Sequence, residues 1–170
     1  MILNQKLSPH FTLAEMCESR TAEKHGIVNV PPPEAVENLR RLCEGCLEPL
    51  REALGLPIVI TSGYRTKALN EILVHAARRS QHLNGEAADF YVASSPSTGS
   101  GSGLSHRELL IQAFRLIITS PEIDFDQLIL YPNFIHVSFV SHNDNRHKIM
   151  SANGQGTYCA LSRAQALSLV

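Results

Sequence analysis

The chain has 170 residues, a hydrophobic share of 44%, a charged share of 18% and a formal net charge of −1. This composition excludes a disordered chain, and the charge gives no electrostatic reason to bind nucleic acid or an anionic membrane surface. No apolar run approaches the roughly 20 residues of a membrane span, and the four cysteines are too few for a disulfide scaffold. We therefore expect one globular domain over residues 1–170, without nucleic-acid or membrane partners.

The N-terminal segment predicts a short helix and no secretory signal. Met1–Leu13 carries one basic residue, Lys6, and no long apolar core, so we expect synthesis in a reducing cytoplasm. Thr12 and Glu15 have the spacing of a capping box, which predicts a helical turn within Phe11–Met16.

A longer amphipathic helix is predicted over Glu34–Leu54, where apolar residues recur with a period near 3.6. Gly55 stands just past its end, as is typical of helix termini. Pro49 lies inside the segment and lacks an N–H, so we expect a kink near Gly45, whose carbonyl loses its helical partner.

Cys43 and Cys46 have the CxxC spacing of zinc and redox sites. They could be such a pair or two small core residues. We expect core residues, because the pair lies in a helical pattern and no second CxxC occurs.

The second half of the chain mixes strands and helices. The predicted elements are, in order, a strand at Pro57–Thr61, a turn at Ser62–Arg65, a helix at Thr66–Arg78, a loop at Ser80–Gly85, a strand at Ala87–Val92, a helix at Leu109–Thr119 capped by Ser105 and Glu108, and two strands at Gln127–Tyr131 and Phe134–Val140. This order predicts an α+β fold.

The low-complexity segment Ser94–Gly103 predicts a flexible surface loop. It could be a mobile rim over a cleft or an extra length of chain that is tolerated without a role, and we favour the second interpretation.

The residues that carry chemistry begin in Ser80–Asp89, where His82 and Asp89 flank an Asn84-Gly85 turn. Asn and Gly tolerate the left-handed backbone that reverses a chain, so the following strand can return Asp89 to His82.

A third donor, His136, lies in an alternating strand. Ile135, Val137 and Phe139 share one face and predict a core, which leaves His136 on the opposite face. Two imidazoles and one carboxylate suit zinc and leave a fourth position for water. The alternative is that His82 and His136 are packed polar residues without a metal.

The pattern Ser-x-His-x-x-Gly-x-Ala-x-Asp over Ser80–Asp89 resembles the zinc D-alanyl-D-alanine carboxypeptidases of the hedgehog/DD-peptidase superfamily. The N-terminal part is similar to small phage and prophage members, and the resemblance extends over Leu7–Met150. Further matching segments are Ser62–Arg65, Asp126–Ile129 and Ile135–Ser138.

The resemblance implies an α+β fold with a small antiparallel sheet and flanking helices. It also implies Zn²⁺ as cofactor, with His82, Asp89 and His136 as ligands. Arg65 would hold a substrate carboxylate or carbonyl, which suits a planar guanidinium, although a structural ion pair is the alternative. Ser80 would contact the substrate or support its loop.

One position departs from the family. Members usually carry a Glu acid–base residue shortly before the last ligand, where this chain has Tyr131. A tyrosine is a poor base at neutral pH but can donate a hydrogen bond to an oxyanion. Glu86, Asp124 and Asp126 are other acids that could replace the Glu, although Glu86 should point away from Asp89 on the same strand.

The first functional hypothesis is a zinc metallopeptidase that hydrolyses peptidoglycan stem peptides next to a D-amino acid, with release to the cell wall by a phage-type route. The alternative is a zinc-containing peptide- or wall-binding module without catalysis. The absent Glu supports the alternative, because losing an acid–base group costs about 10²–10⁴ in rate.

Overall fold

The computed structural model of the protein describes residues 5–74, 76–94 and 104–169. The predicted Ser/Gly loop, apart from Ser94, lies outside the described residues. The helices within these ranges are α1 (Leu13–Cys17), α2 (Arg20–Lys24), α3 (Pro33–Leu42), α4 (Glu48–Leu54), α5 (Lys67–Ile72), α6 (His106–Thr119) and α7 (Arg163–Leu167).

A six-stranded sheet forms the centre of the described fold. Its strands are β1 (Ile58–Ser62), β2 (Ala87–Val92), β3 (Gln127–Leu130), β4 (Ile135–Ser138), β5 (Lys148–Ala152) and β6 (Tyr158–Ala160). Their spatial order is β1-β2-β4-β3-β5-β6, and neighbours are antiparallel except for β3 and β5. The α+β class and the mainly antiparallel sheet agree with the prediction. The chain reverses direction between β4 and β5, so β5 runs opposite to β4 and therefore parallel to β3, on the edge of β3 that β4 leaves free.

The long helical segment departs from α-helical geometry at the place where Pro49 predicts a kink. α3 and α4 are joined by a π-helical turn at Cys43–Leu47, and the Gly45 carbonyl accepts a hydrogen bond from the Asp124 amide at 3.1 Å. Pro49 has no N–H to donate to the Gly45 carbonyl, and the Asp124 amide from outside the helix takes the place of that donor. Gly55 ends α4 in the left-handed conformation, with φ of 62°.

The core lies between the sheet and the helices packed on one of its faces. α6 and the segment from α3 through α4 supply a large share of its apolar side chains, while Ile135 and Val137 of β4 are fully buried on the same side. His136 therefore points from the other face, as the strand's alternation predicts.

The CxxC cysteines belong to this core. Cys43 and Cys46 are fully buried, and burial raises the pKa of both thiols well above the usual range. Protonated thiols are poor metal ligands, so the core interpretation holds.

Two predicted elements differ from the structure. The helix predicted over Thr66–Arg78 ends at Ile72, because Leu73 adopts an extended backbone. Val74 is 82% exposed, so the protein offers no apolar surface against which a longer helix could pack there. The loop predicted at Ser80–Gly85 contains a 3₁₀ turn at Gln81–Asn84.

α2, β5, β6 and α7 were not predicted from the sequence. Among the described residues, no helix combines the length and apolar character that crossing a membrane requires.

Candidate metal centre

Three potential metal ligands converge on the face of the sheet opposite the core. Asp89 on β2 lies directly across from His136 on β4, and His82 lies in the 3₁₀ turn that precedes β2. His136 Nδ1 is 2.8 Å from Asp89 Oδ1, and His82 Nε2 is 3.3 Å from each of these atoms. The structure thus brings together the three residues that the sequence predicts as ligands.

The spacing of these atoms fits a zinc ion. Ligands placed tetrahedrally at about 2.0–2.1 Å from zinc lie roughly 3.3–3.4 Å from one another. The separations here are 2.8–3.3 Å. Two imidazole nitrogens and one carboxylate oxygen are also a donor set suited to zinc, with one position left over.

The orientation of His82 is fixed by a backbone oxygen. Its Nδ1 donates to the Gly63 carbonyl at 2.6 Å, which leaves the lone pair of a neutral Nε2 facing Asp89 and His136. Two electron-rich atoms, His82 Nε2 and Asp89 Oδ1, therefore face each other. A cation between them relieves this repulsion.

Gly63 must be a glycine for this contact to form. A Cβ there would lie 2.4 Å from the Met16 carbonyl oxygen, which accepts a hydrogen bond from the Tyr64 amide at 2.7 Å. Close packing against α1 thus places the carbonyl that holds His82. Within the Ser62–Arg65 segment, a glycine at this position thus allows the close approach that positions His82.

The turn between His82 and Asp89 depends on Gly85. Its φ of +74° is left-handed, and a Cβ would lie 2.3 Å from the Ala35 carbonyl oxygen of α3. The Asn38 side chain donates to the Asn84 carbonyl at 2.9 Å and ties the turn to the same helix. The metal-binding turn is thus held on α3.

Ionisation of the site favours metal binding. Burial lowers the pKa of His82 and keeps its imidazole neutral. Burial alone would raise the pKa of Asp89, but the hydrogen bond that His136 Nδ1 donates to Oδ1 at 2.8 Å acts in the opposite direction, and the pKa of Asp89 lies below its usual range. A neutral imidazole and an ionised carboxylate are the forms that bind a metal.

Arg65 contacts a candidate ligand directly. Its Nη2 is 2.7 Å from Asp89 Oδ2, and its Nε donates to Ser62 Oγ at 2.9 Å. The structural ion pair, which the sequence analysis gives as the alternative role of Arg65, is therefore present. It orients Asp89, while Arg65 also lines the adjoining cavity, where its predicted role toward substrate stays a prediction.

A cavity of about 890 Å³ opens beside the three ligands and contains the other predicted site residues. Ser80 lies on its wall, and its side chain makes no capping hydrogen bond to the 3₁₀ turn that follows it. Its role toward the substrate or the loop stays a prediction. The side chain of the neighbouring Gln81 donates to Asp126 at 3.0 Å.

Tyr131, where the resemblance leads us to expect Glu, lies on the cavity wall. Its ring stacks on Phe134 with centroids 4.2 Å apart, and its hydroxyl is 3.0 Å from that of Tyr158. Burial, followed by the hydrogen bond to Tyr158, raises the pKa of Tyr131 above its usual value. The phenol is thus protonated at neutral pH and is a hydrogen-bond donor, not a base.

The three acids considered as replacements for Glu are engaged elsewhere. Glu86 accepts from Asn84 at 3.3 Å and does not line the cavity. Asp124 contacts two exposed histidines. Asp126, 1% exposed, is paired with Arg146, whose hydrogen bonds overcome the effect of burial and lower the pKa of Asp126 to about 2.

Sequence reasoning missed Arg146 and Tyr158, which both line the cavity. Both residues follow Ile135–Ser138, the last matching segment, in a region without strong periodicity. Lys148–Ala152 shows only weak alternation, although Ile149 is buried.

This arrangement defines a protein with a His–Asp–His centre able to hold a metal ion beside an open cavity. The sequence model of the family described as Peptidase M15 matches residues 9–102, more than half of the chain, and the chain belongs to this family of zinc metallopeptidases. The match includes Arg65, Ser80, His82 and Asp89 but ends before His136. No curated protein matches the chain.

Proposed function

We propose that this chain is a zinc metallopeptidase that hydrolyses bacterial cell-wall peptides next to a D-amino acid, in the manner of a D-Ala-D-Ala carboxypeptidase. The convergence of His82, Asp89 and His136 beside a cavity is the observation that carries the proposal. The family supports metallopeptidase activity, and the resemblance of Ser80–Asp89 to the carboxypeptidases supports the narrower substrate.

The chain's own residues would divide the work as follows. His82, Asp89 and His136 would hold zinc, which when bound polarises a carbonyl and lowers the pKa of water to near neutrality. Arg65 orients Asp89 and offers its remaining guanidinium nitrogen to the cavity. Ser80, which lines the cavity, would contact the substrate backbone through its hydroxyl. Tyr131 donates a hydrogen bond to the oxyanion that develops on the scissile carbonyl.

Hydrolysis of a defined peptide tests this function. Zinc-loaded protein is incubated with a synthetic stem peptide ending in D-Ala-D-Ala, and released D-alanine and new amino groups are measured. We expect turnover that is lost in His136→Ala and retained in His142→Ala, an exposed histidine that also contacts an aspartate. An inactive wild type that carries zinc would contradict the proposal.

The engagement of the nearby acids favours a second candidate, a zinc-containing module that binds stem peptide without cleaving it. Asp126 is paired with Arg146, and Asp144 accepts from Ser141 at 2.6 Å, so apart from Asp89 the acids lining the cavity are already bonded. Binding of the peptide without turnover, together with activity gained by Tyr131→Glu, would identify this module.

The biological setting follows from the same proposal. A peptidoglycan stem peptide is the partner we propose, encountered after synthesis in the cytoplasm and release by a phage-type route. Digestion of isolated peptidoglycan by the protein would support this partner, and cleavage of the free peptide alone would argue against it.

A further inference from the structure

A second tyrosine, Tyr158, continues the cavity wall that Tyr131 begins. It lies on β6, opposite Ala152 of β5. Its ring meets the Tyr131 ring edge to face, with centroids 6.2 Å apart, and the two hydroxyl oxygens are 3.0 Å apart. Phe134 stacks on the same Tyr131 ring, which therefore contacts two aromatic side chains.

The register of the sheet directs Tyr131 toward the candidate metal centre. Tyr131 follows β3, two residues beyond Ile129, which pairs with His136. Residues two apart on a strand project to the same side and are separated by about 7 Å. Tyr131 and His136 therefore project from the same side of the sheet into one cavity.

The proton count of the pair leaves one donor free. Each phenol carries one proton, and a hydrogen bond between two hydroxyls uses only one of them. Within the described ranges, neither hydroxyl has another hydrogen-bond partner. The second proton is thus available to a ligand in the cavity.

We propose that Tyr158 is a positioning residue of the peptidase site, whose O–H donates to the Tyr131 oxygen and thereby directs the Tyr131 proton to the substrate carbonyl oxygen. This inference rests on the proposed function. Tyr158 is the outer of the two, at 45% exposure, and Tyr131 is the half-buried inner one. A hydroxyl that accepts a hydrogen bond becomes a better donor, so the chain strengthens the contact to the developing oxyanion. Both protons stay on their oxygens.

The competing explanation is that the hydroxyl pair only fastens β6 to the turn after β3. Loss of a fastening would lower stability and affect substrate and transition-state binding alike. Loss of a positioned donor would affect the transition state selectively. The two explanations therefore differ in measurable ways.

The test compares Tyr158→Phe, Tyr131→Phe and the double variant with Tyr91→Phe, a tyrosine on β2 outside the cavity. Each zinc-loaded protein is assayed for kcat and KM on a stem peptide ending in D-Ala-D-Ala. Calorimetry then measures the Kd of a phosphinic-acid analogue of that peptide, whose tetrahedral oxygens imitate the oxyanion. Melting temperature is recorded for every variant.

Tyr131→Phe is expected to lower kcat about 10²-fold, the usual effect of removing one oxyanion donor. Tyr158→Phe should lower kcat and weaken analogue binding about tenfold, with KM within about threefold of the wild type. The double variant should resemble Tyr131→Phe, because the two hydroxyls act as one unit. Tyr91→Phe should match the wild type.

Three outcomes overturn the inference. If Tyr158→Phe retains wild-type kcat and analogue affinity, only the Tyr158 role is wrong. If it raises KM and lowers the melting temperature at constant kcat, the pair is a fastening. If zinc-loaded wild type neither cleaves the peptide nor binds the analogue, the peptidase function and the Tyr158 role are both wrong.

Discussion

The buried Asp126 carboxylate gives a quantitative test of how the cavity wall is held. Asp126 is 1% exposed and accepts hydrogen bonds from the backbone and guanidinium of Arg146, and from Gln81 next to His82. These contacts outweigh the effect of burial and lower its pKa from 3.8 to about 2. Lowering the pKa by roughly two pH units, at about 1.4 kcal/mol per unit, corresponds to about 2–3 kcal/mol of stability.

The sign of the pH dependence follows from the lowered pKa. The contribution is complete above the unfolded pKa, near pH 4, and is lost as pH falls through the folded pKa. Asp126→Asn should therefore cost about 2–3 kcal/mol of unfolding free energy near pH 7 and about half as much near pH 3.

Urea denaturation of chelator-treated protein at both pH values measures this difference without a contribution from metal binding. Asp144→Asn is the matched control, since Asp144 is exposed and bonds only its neighbour Ser141 among the described side chains. A loss that is equal at both pH values, or no loss near pH 7, would refute the reasoning.

Three further predictions concern the scaffold and the ligands. Gly85→Ala should destabilise the protein by more than the roughly 1 kcal/mol that left-handed backbone costs Gly26→Ala in urea denaturation, because only Gly85 also packs against backbone; equal losses would contradict the packing argument. Arg65→Ala should weaken zinc binding about 10–100-fold in competition with a chelating dye, and unchanged affinity would show that Arg65 does not support its ligand. Glu48→Gln should cost roughly 1–3 kcal/mol of unfolding free energy near pH 7. Burial opposes ionisation of Glu48, but contacts with His10 and Ser8 lower its pKa, so this loss should shrink below about pH 4. A loss that grows below about pH 4 would contradict the prediction.

Local chemistry explains why the first half of the fold was predictable from the sequence. Thr12 and Glu15 form the capping box that their spacing indicates. Pro49 removes one helical hydrogen bond, and the helix contains a π-helical turn at the predicted place. Such features act within a few residues, so one sequence contains them in full.

The C-terminal part depends on contacts that are distant in the chain. β6 has three exposed residues and exists because it pairs with β5, which itself pairs in parallel with β3. Alternation is weak in both strands, because the cavity face mixes polar and apolar side chains. This is why Tyr158 and its place on the cavity wall could not be predicted.

The candidate site was predictable to different degrees. His82, Asp89 and His136 were singled out by spacing and alternation and assigned as ligands by the family resemblance. The sheet register and the 3₁₀ turn bring their ligand atoms within 3.3 Å of one another. The sequence could not distinguish a substrate contact from a structural ion pair for Arg65, because only the fold shows Asp89 at 2.7 Å from its guanidinium.

Zinc content tests the central claim most directly. Protein purified without added metal is analysed for metals and then titrated with zinc, alongside His82→Ala, Asp89→Ala and His136→Ala, with His142→Ala as control. The account predicts about one tightly bound zinc in the wild type and the control, and its loss in each of the three ligand variants. Less than about half an equivalent in the wild type, with no uptake on titration, or full binding in the three variants, would contradict it.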